Sequence, residues 1–447
     1  MAPPVAALAA GRLALSGRAE LVGGPSHPPG RHLGVTDLAD QFRPITADEW
    51  PRFVRSIRTT FGADHDGPYM DAPSPTAELD RSLALFDAER VAATAGIYSL
   101  EMSVPGAVVA TAGVTWITVS PTHRRRGLLT AIMRRQLTEV HEAGREPVAA
   151  LWAAESSIYG RFGYAPAAWR GGWSGAAERL RLRPDVDCGT GAVRLVEREV
   201  FQPAATALHE QVRRFVPGNM ARGQAWWDRR LHDSPELAKG GPPLQHVLHT
   251  EADGTVTGYA VYRVRAEWTG TSEPDGTLTV EEVRASTPAA YAALWRYLFG
   301  HDLVRTVEAP YASADDPVRH LLADQRAWHS RPVDALWVRL VDVGAALSAR
   351  RYPAKLDMVV EVRDRFCDWN DGRWHVWGHP AGAFCDRTDR DPDLVLDIEA
   401  LSAAYLGGVS LAALQGAGRV TEISPGAVTQ ASTAFGWPVA PWCPDQF

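Results

Sequence analysis

Apolar residues along this chain recur with two periods. Over residues 127–143 they fall at Leu128, Leu129, Ile132, Met133, Leu137 and Val140, the three-and-four spacing of a helix with one buried face. Gly144 follows as a C-cap. Just upstream, residues 114–119 form a β-branched run, and residues 147–153 are apolar enough for a strand covered on both faces. Strand, basic turn, helix and strand together predict a βαβ unit. Earlier, residues 42–45 predict a short strand, and Thr46 with Glu49 three positions on predicts a capped helix start that tolerates Pro51. Residues 91–102 predict another strand.

The pattern then repeats faintly. Residues 258–263 resemble 96–101, residues 278–283 resemble the strand ending at Val119, and a helix is expected over 289–298. The second copy passes from Val283 through Arg284, Ala285, Ser286, Thr287 and Pro288 straight into its helix, with no arginine-glycine turn. The last ~110 residues change character, with strands expected at 356–362 and 393–397 and helices at 398–406 and 410–417, a separate α+β domain. Residues 1–40, rich in Ala, Gly and Pro, are expected to be a disordered leader. The divisions expected are therefore 41–176, 177–332 and 333–447.

Composition changes this picture little. Hydrophobic residues make up 45% and charged residues 22%, ordinary for a globular protein. The net charge of −7 gives no pull toward nucleic acid and is compatible with a cationic substrate. Cys188, Cys367, Cys385 and Cys443 include no C-x-x-C pair, so neither a metal site nor a disulfide framework is expected; they read as reduced thiols in a cytoplasmic protein. No run approaches the ~18–20 apolar residues of a membrane span.

The chemistry concentrates at Arg124-Arg125-Arg126-Gly127. The first N–H groups of a helix lack partners and the helix dipole adds positive charge there. A glycine admits a ligand to the backbone, and arginine forks suit phosphate. Arg125, Arg126, Gly127, Leu128, Leu129 and Thr130 are thus expected to form an anion site suited to phosphate. The segment resembles the Arg-x-x-Gly-x-Gly/Ala pyrophosphate signature of GNAT acetyltransferases except at Leu129, and that resemblance implies a coenzyme pyrophosphate held there, with Ile117, Thr118 and Val119 offering backbone groups to its pantetheine arm.

The segments 119–129, 158–164 (Ile-Tyr-Gly-Arg-Phe-Gly-Tyr) and 405–408 (Tyr-Leu-Gly-Gly) resemble the enhanced intracellular survival (Eis) family of actinobacterial acetyltransferases, and the likeness runs from about Arg43 to Phe447. It implies tandem GNAT domains, the second degenerate, followed by a sterol-carrier-protein-like domain. It implies acetyl-CoA as cosubstrate, no metal, a homohexamer, and acetylation of aminoglycoside amines at more than one position. By the same resemblance Tyr159 is the general acid and the α-carboxylate of Phe447 the general base. The family's acidic and aromatic substrate rim maps to residues 62–68, where Asp64 and Asp66 are candidates. Gln446 stands where the family carries an acid, with Asp445 one step back, and Trp152 stands where it carries histidine.

A free thiol titrates near 8.5 and a tyrosine near 10, so Tyr159 is expected to protonate the departing thiolate without a large shift. A terminal carboxylate, ordinarily at roughly 3.3–3.7, is a weak base that needs burial, a water, or an amine of lowered pKa. The apolar tail Trp442, Cys443, Pro444, Phe447 argues for docking. Tyr164 is read as packing and His123 as loop support. Trp116 is a candidate wall of the substrate pocket, and Ala154 and Glu155 are candidate coenzyme or amine contacts. Lysine side chains of proteins and polyamines are the alternative amines, and a lipid-binding module is the reading from another class.

Overall fold

The computed structural model describes residues 38–63, 69–233 and 241–447. The chain divides into two compact units: residues up to Gly96 with Trp116–Leu137, and Ile97–Thr115 with Thr138–Phe447.

The first unit contains strand β1 (Arg43–Pro44), the helix Trp50–Phe61 and strand β2 (Ser82–Asp87), which pairs antiparallel with both β1 and the start of β3 (Arg90–Val104). Glu49 accepts the Thr46 N–H at 3.0 Å and is bound by Arg43 at 2.6 Å, so the predicted helix start is present, opened by one 3₁₀ turn. Strand β4 (Ala107–Val119), like β3, runs along the chain from one unit into the other. The helix Leu128–Ala143 presents Leu128, Ala131 and Ile132 to a core completed by Phe42, Leu83, Leu85 and Ala93.

In the second unit β5 (Val148–Trp152) pairs parallel with β4 only over Thr111–Gly113, opposite Val148–Ala150. The expected two-sided burial of β5 holds, Val148, Ala149 and Ala150 all being fully enclosed. Strands β6 (Ala165–Pro166), β7 (Trp169–Arg170) and β8 (Trp173–Ala176) follow. The repeat folds as a second sheet, from β9 (Ala192–Leu195) through β10 (Gln245–Thr250), β11 (Val256–Arg265) and β12 (Gly276–Ala285) to β13 (Val304–Ala309), over the helices Arg198–Arg213 and Pro288–Phe299.

The sheets do not respect the boundaries expected at 176/177 and 332/333. β8 pairs with β13 and so closes the edge of the second sheet. β14 (Val333–Asp334) pairs with β7, and β15 (Leu336–Leu340) returns to pair with β5 and β6. Each half thus gives a strand to the other's sheet, while the two connecting segments run antiparallel past one another. β15 (LWVRL) is wholly buried in this place, between β5 and β6.

The remaining sheet contains β16 (Leu356–Arg363), β17 (Gly372–His379), β18 (Gly382–Arg387), β19 (Leu394–Asp397) and β20 (Val420–Glu422). The helices Ile398–Ala404 and Leu411–Gly416 start on Asp397 and Ser410, whose side chains accept from Ala400 and Ala413. The first ends at Ala404 with Tyr405 as C-cap, two residues short of the expected 406, and Gly407 and Gly408 beyond it let the tail pass. A Cβ at Gly407 would lie 2.8 Å from Trp437 Cβ, and one at Gly408 2.8 Å from Pro441 Cδ. Among the described residues, no helix is long and apolar enough to cross a membrane and no group of three or more His, Cys, Asp or Glu is placed to hold a metal. All four cysteines are unpaired and buried.

Candidate active site

In the first unit the end of β4 and the turn after it are built around backbone irregularities. Trp116 is left-handed in mid-strand (φ 55°), a bulge held by Thr94, whose hydroxyl reaches the Trp116 carbonyl at 2.6 Å and the Thr118 hydroxyl at 2.6 Å. Ile117 and Val119 pack against the Leu128 core, and Ser120 bonds back to Ala92. The Trp116 ring lies 5.6 Å from Trp50 and 5.8 Å from Phe53, joining an aromatic cluster on the helix Trp50–Phe61. His123 bridges Thr122 at 2.9 Å and Asp87 at 3.1 Å, the loop-supporting role expected of it.

Arg125 (φ 62°) and Gly127 (φ 81°) are both left-handed, and the Gly127 carbonyl accepts the Ala131 N–H at 3.0 Å. Gly127 therefore caps a helix whose first N–H groups, Leu128, Leu129 and Thr130, have no intrahelical acceptor. Arg124, Arg125, Arg126 and Gly127 are exposed, Leu129 and Thr130 half-buried. A Cβ at Gly127 would meet only Leu38 Cδ1, 3.8 Å away. The glycine is required by its backbone angle rather than by crowding. The corresponding helix of the second sheet starts differently. Thr287 accepts the Ala290 N–H through its hydroxyl at 3.2 Å, and Pro288 has no N–H to offer.

In the second unit β5 leads through Ala154 and Glu155, both exposed, into the one-turn helix Ser156–Tyr159. Tyr159 is 8% exposed. Burial pushes its phenol up to about 12, with the Glu155 carboxylate adding to the rise, so the expectation of an ordinary value is corrected. Tyr164 crosses its ring edge-on at 6.1 Å but is sealed, its hydroxyl buried without a hydrogen-bond partner. That leaves Tyr164 as packing. The turn is braced from the carboxyl-terminal region. Gly160 faces the Glu399 carboxylate, 3.1 Å from where a Cβ would stand, and the Leu340 N–H bonds Ser402 at 3.2 Å.

The chain terminus is docked in this unit. The Trp442 indole N–H reaches the Tyr311 carbonyl at 2.6 Å, its backbone N–H reaches Pro217 at 2.9 Å, and Asn219 holds its carbonyl at 2.5 Å. The Asp445 carboxylate takes the Arg222 Nε–H at 2.8 Å, and its carbonyl takes the Trp152 indole N–H at 2.8 Å. Arg229 reaches the Gln446 carbonyl at 3.4 Å and the Tyr98 hydroxyl at 3.0 Å. The ring of Phe447 comes to rest at Gly113. Arg222, Arg229, Asn219 and Gly113 were not singled out in the sequence, and Asp64 and Asp66 lie outside the described residues.

Three family models match the chain: an acetyltransferase (GNAT) domain over residues 41–167, a second acetyltransferase (GNAT) domain over 218–340 and a sterol carrier protein domain over 343–444. An uncharacterized N-acetyltransferase of Streptomyces avermitilis is 42% identical over 92% of this chain and 100% of its own length. N-acetyltransferase Eis of Mycobacterium tuberculosis is 33% identical over 84% of this chain and 91% of its own. The chain belongs to the Eis family. The crystal structure of Eis1 from Mycobacterium abscessus matches this fold with a TM-score of 0.78 at 32% identity, over 91% of this chain and 100% of that one. As a member of the Eis family the protein is an acyl-CoA-dependent N-acetyltransferase, built of two GNAT domains followed by a sterol-carrier-like domain.

Proposed function

We propose that this Eis-family enzyme transfers the acetyl group of acetyl-CoA to amines of polycationic small molecules, aminoglycosides above all, at more than one position and by direct attack in a ternary complex. The coenzyme pyrophosphate binds the free N–H groups at Leu128, Leu129 and Thr130, with Arg125 and Arg126 supplying charge. The backbone of Ile117, Thr118 and Val119 takes the pantetheine arm. The second domain binds no coenzyme, because Thr287 takes the Ala290 N–H and Pro288 has none to offer, so its helix start presents fewer free donors and no arginine-glycine turn.

In the reaction the amine nitrogen bonds the thioester carbonyl carbon, the carbon–sulfur bond breaks, one amine proton passes to the Phe447 carboxylate, and the sulfur takes a proton from Tyr159. Moving a proton from a phenol near 12 to a free thiolate near 8.5 is uphill by about 5 kcal/mol. A desolvated thiol narrows that gap, as burial raises the Cys385 and Cys443 thiols of this chain. Tyr159 therefore acts late, as charge gathers on sulfur, and stays protonated at every working pH.

The docked tail carries this reading. A terminus held through Trp442, Asp445 and Gln446 brings its carboxylate to a fixed place, whereas chain ends ordinarily fray. The test compares thiol release by the native chain with that by a chain extended beyond Phe447, using a panel of aminoglycosides, polyamines and lysine peptides. A strong loss of turnover on extension, with coenzyme affinity kept, is expected; equal rates refute the terminal base. A preference for peptides in the native chain would replace the substrate class. The homohexamer implied by the resemblance and the cytoplasmic location read from the unpaired cysteines belong to the same proposal, and sedimentation tests the first.

A further inference from the structure

The tail does not rest on an apolar bed. It is anchored to a buried cluster of charges. Arg222 and Glu282 are each 1% exposed at the side chain and pair at 3.0 Å. Glu282 also receives Arg284 at 2.9 Å, Arg230 at 3.2 Å and the Tyr259 hydroxyl at 3.1 Å. Three arginines thus surround one internal carboxylate. The second carboxylate of the cluster comes from the tail: Asp445, 9% exposed, on Arg222 at 2.8 Å.

Such an arrangement is a poor device for stability. Replacing a buried ion pair with apolar residues of similar volume is often neutral or stabilising, while removing one partner is costly. What the pair gives is a unique position. Asp445 is held at two points by two different parts of the fold. Its carboxylate is fixed by Arg222, in the loop before the helix Gln224–Arg230. Its carbonyl is fixed by Trp152, the last residue of β5. Two anchors on one residue fix orientation as well as place. The terminal carboxylate is two residues on, at most about 7 Å of chain away. Among the described residues, no cation forms an ion pair with that carboxylate, and the anchoring contacts lie upstream of it.

Trp152 also explains a departure from the family pattern. Tyr159 follows it seven positions along the chain, so the end of β5 both carries the tyrosine turn and grips the tail.

We propose that Asp445, clamped by Arg222 and Trp152, is the positioning residue that sets the terminal carboxylate for proton abstraction from the amine. The proposal rests on the reading of that carboxylate as the base.

The test is a cycle of four full-length proteins: the native chain, Asp445→Asn, the chain extended by a short Gly-Ser tail, and the extended chain carrying Asp445→Asn. Asparagine keeps the shape and the Trp152 bond but removes the charge. Asp445→Asn is expected to lower kcat roughly 10- to 100-fold, the scale of small misplacements of a reacting group, with the KM for acetyl-CoA within about twofold. In the extended protein the same substitution is expected to do nothing further. An equal loss in both backgrounds means that Asp445 acts through the fold, and overturns the proposal. Native turnover in Asp445→Asn with a slow extended chain also overturns it, while the terminal base survives. A fully active extended chain removes the base and the clamp's purpose with it. Should Asp445→Asn fold poorly, Trp152→Phe removes the N–H donor while keeping a smaller aromatic ring. It is expected to give a smaller kcat loss, again absent from the extended chain, and an additive loss there counts against the proposal.

Discussion

The ring of Phe447 lies over Gly113, its Cε2 3.3 Å from where a Cβ on that residue would stand. Leu100 Cδ1 is nearer still, at 2.5 Å, so a side chain at this position would force Leu100 or the Phe447 ring to shift. The same glycine is the last residue of β4 paired with β5. Gly113→Ala is expected to dislodge the terminal ring, lower kcat about tenfold or more, and leave the thermal midpoint within a few degrees. Faster release of phenylalanine by a carboxypeptidase would report the freed tail; native release with native turnover contradicts the packing argument.

At the turn, Gly127→Ala and Gly127→Asp separate two effects. Alanine meets no steric obstacle but must hold a φ of 81°, at about 1 kcal/mol. Aspartate adds a carboxylate where a pyrophosphate is proposed. Titration calorimetry with acetyl-CoA is expected to show a modest loss for alanine and no measurable binding for aspartate. Equal affinities in the two variants would move the coenzyme elsewhere.

Tyr159→Phe is expected to keep coenzyme affinity and lower kcat by roughly 10²–10⁴. Since burial holds the phenol at about 12, the native enzyme should show no alkaline loss of turnover from this group between pH 8 and 10. A fall in kcat with an apparent pKa near 10 that vanishes in Tyr159→Phe would mean that the tyrosine is wet in the working enzyme.

Stability carries the same signature. Tyr159, Tyr164, Tyr352 and Tyr405 all have their phenols raised by burial above the unfolded value near 10. Raised values favour the folded protein while the phenols are protonated. Their contribution is complete below about pH 10 and is lost as the pH climbs through about 12 and beyond. Urea unfolding is expected to show a steep drop in stability over that interval; a flat profile would show the tyrosines to be hydrated.

Much of this was legible in the sequence because it follows from local rules. The helix Leu128–Ala143 came from spacing, the start at Thr46 from Glu49, and the two helices near 398–406 and 410–417 from local pattern. The strand exchange was not legible, since nothing local tells β15 to prefer β5 over a neighbour in sequence. The rise at Tyr159 follows from its burial in the folded chain, which no local pattern announces. One signal was present and went unused. In β12 the buried positions alternate Leu278, Val280, Glu282, Arg284, so the period that marks an inward face also carries a carboxylate and a guanidinium inward. Charges in phase with a core were the visible trace of the cluster that holds Asp445.

The exchange of β8 and β15 has a consequence for how the protein is made. The edge of the sheet built on β5 stays unpaired until residues 336–340 have left the ribosome, nearly two hundred residues after β5 itself. The tail that docks at Gly113 lies more than a hundred residues further along the chain. The edge at β5 and the dock at Gly113 both wait on segments made long after them, so the amino-terminal half cannot complete its own packing while the rest of the chain is still being made.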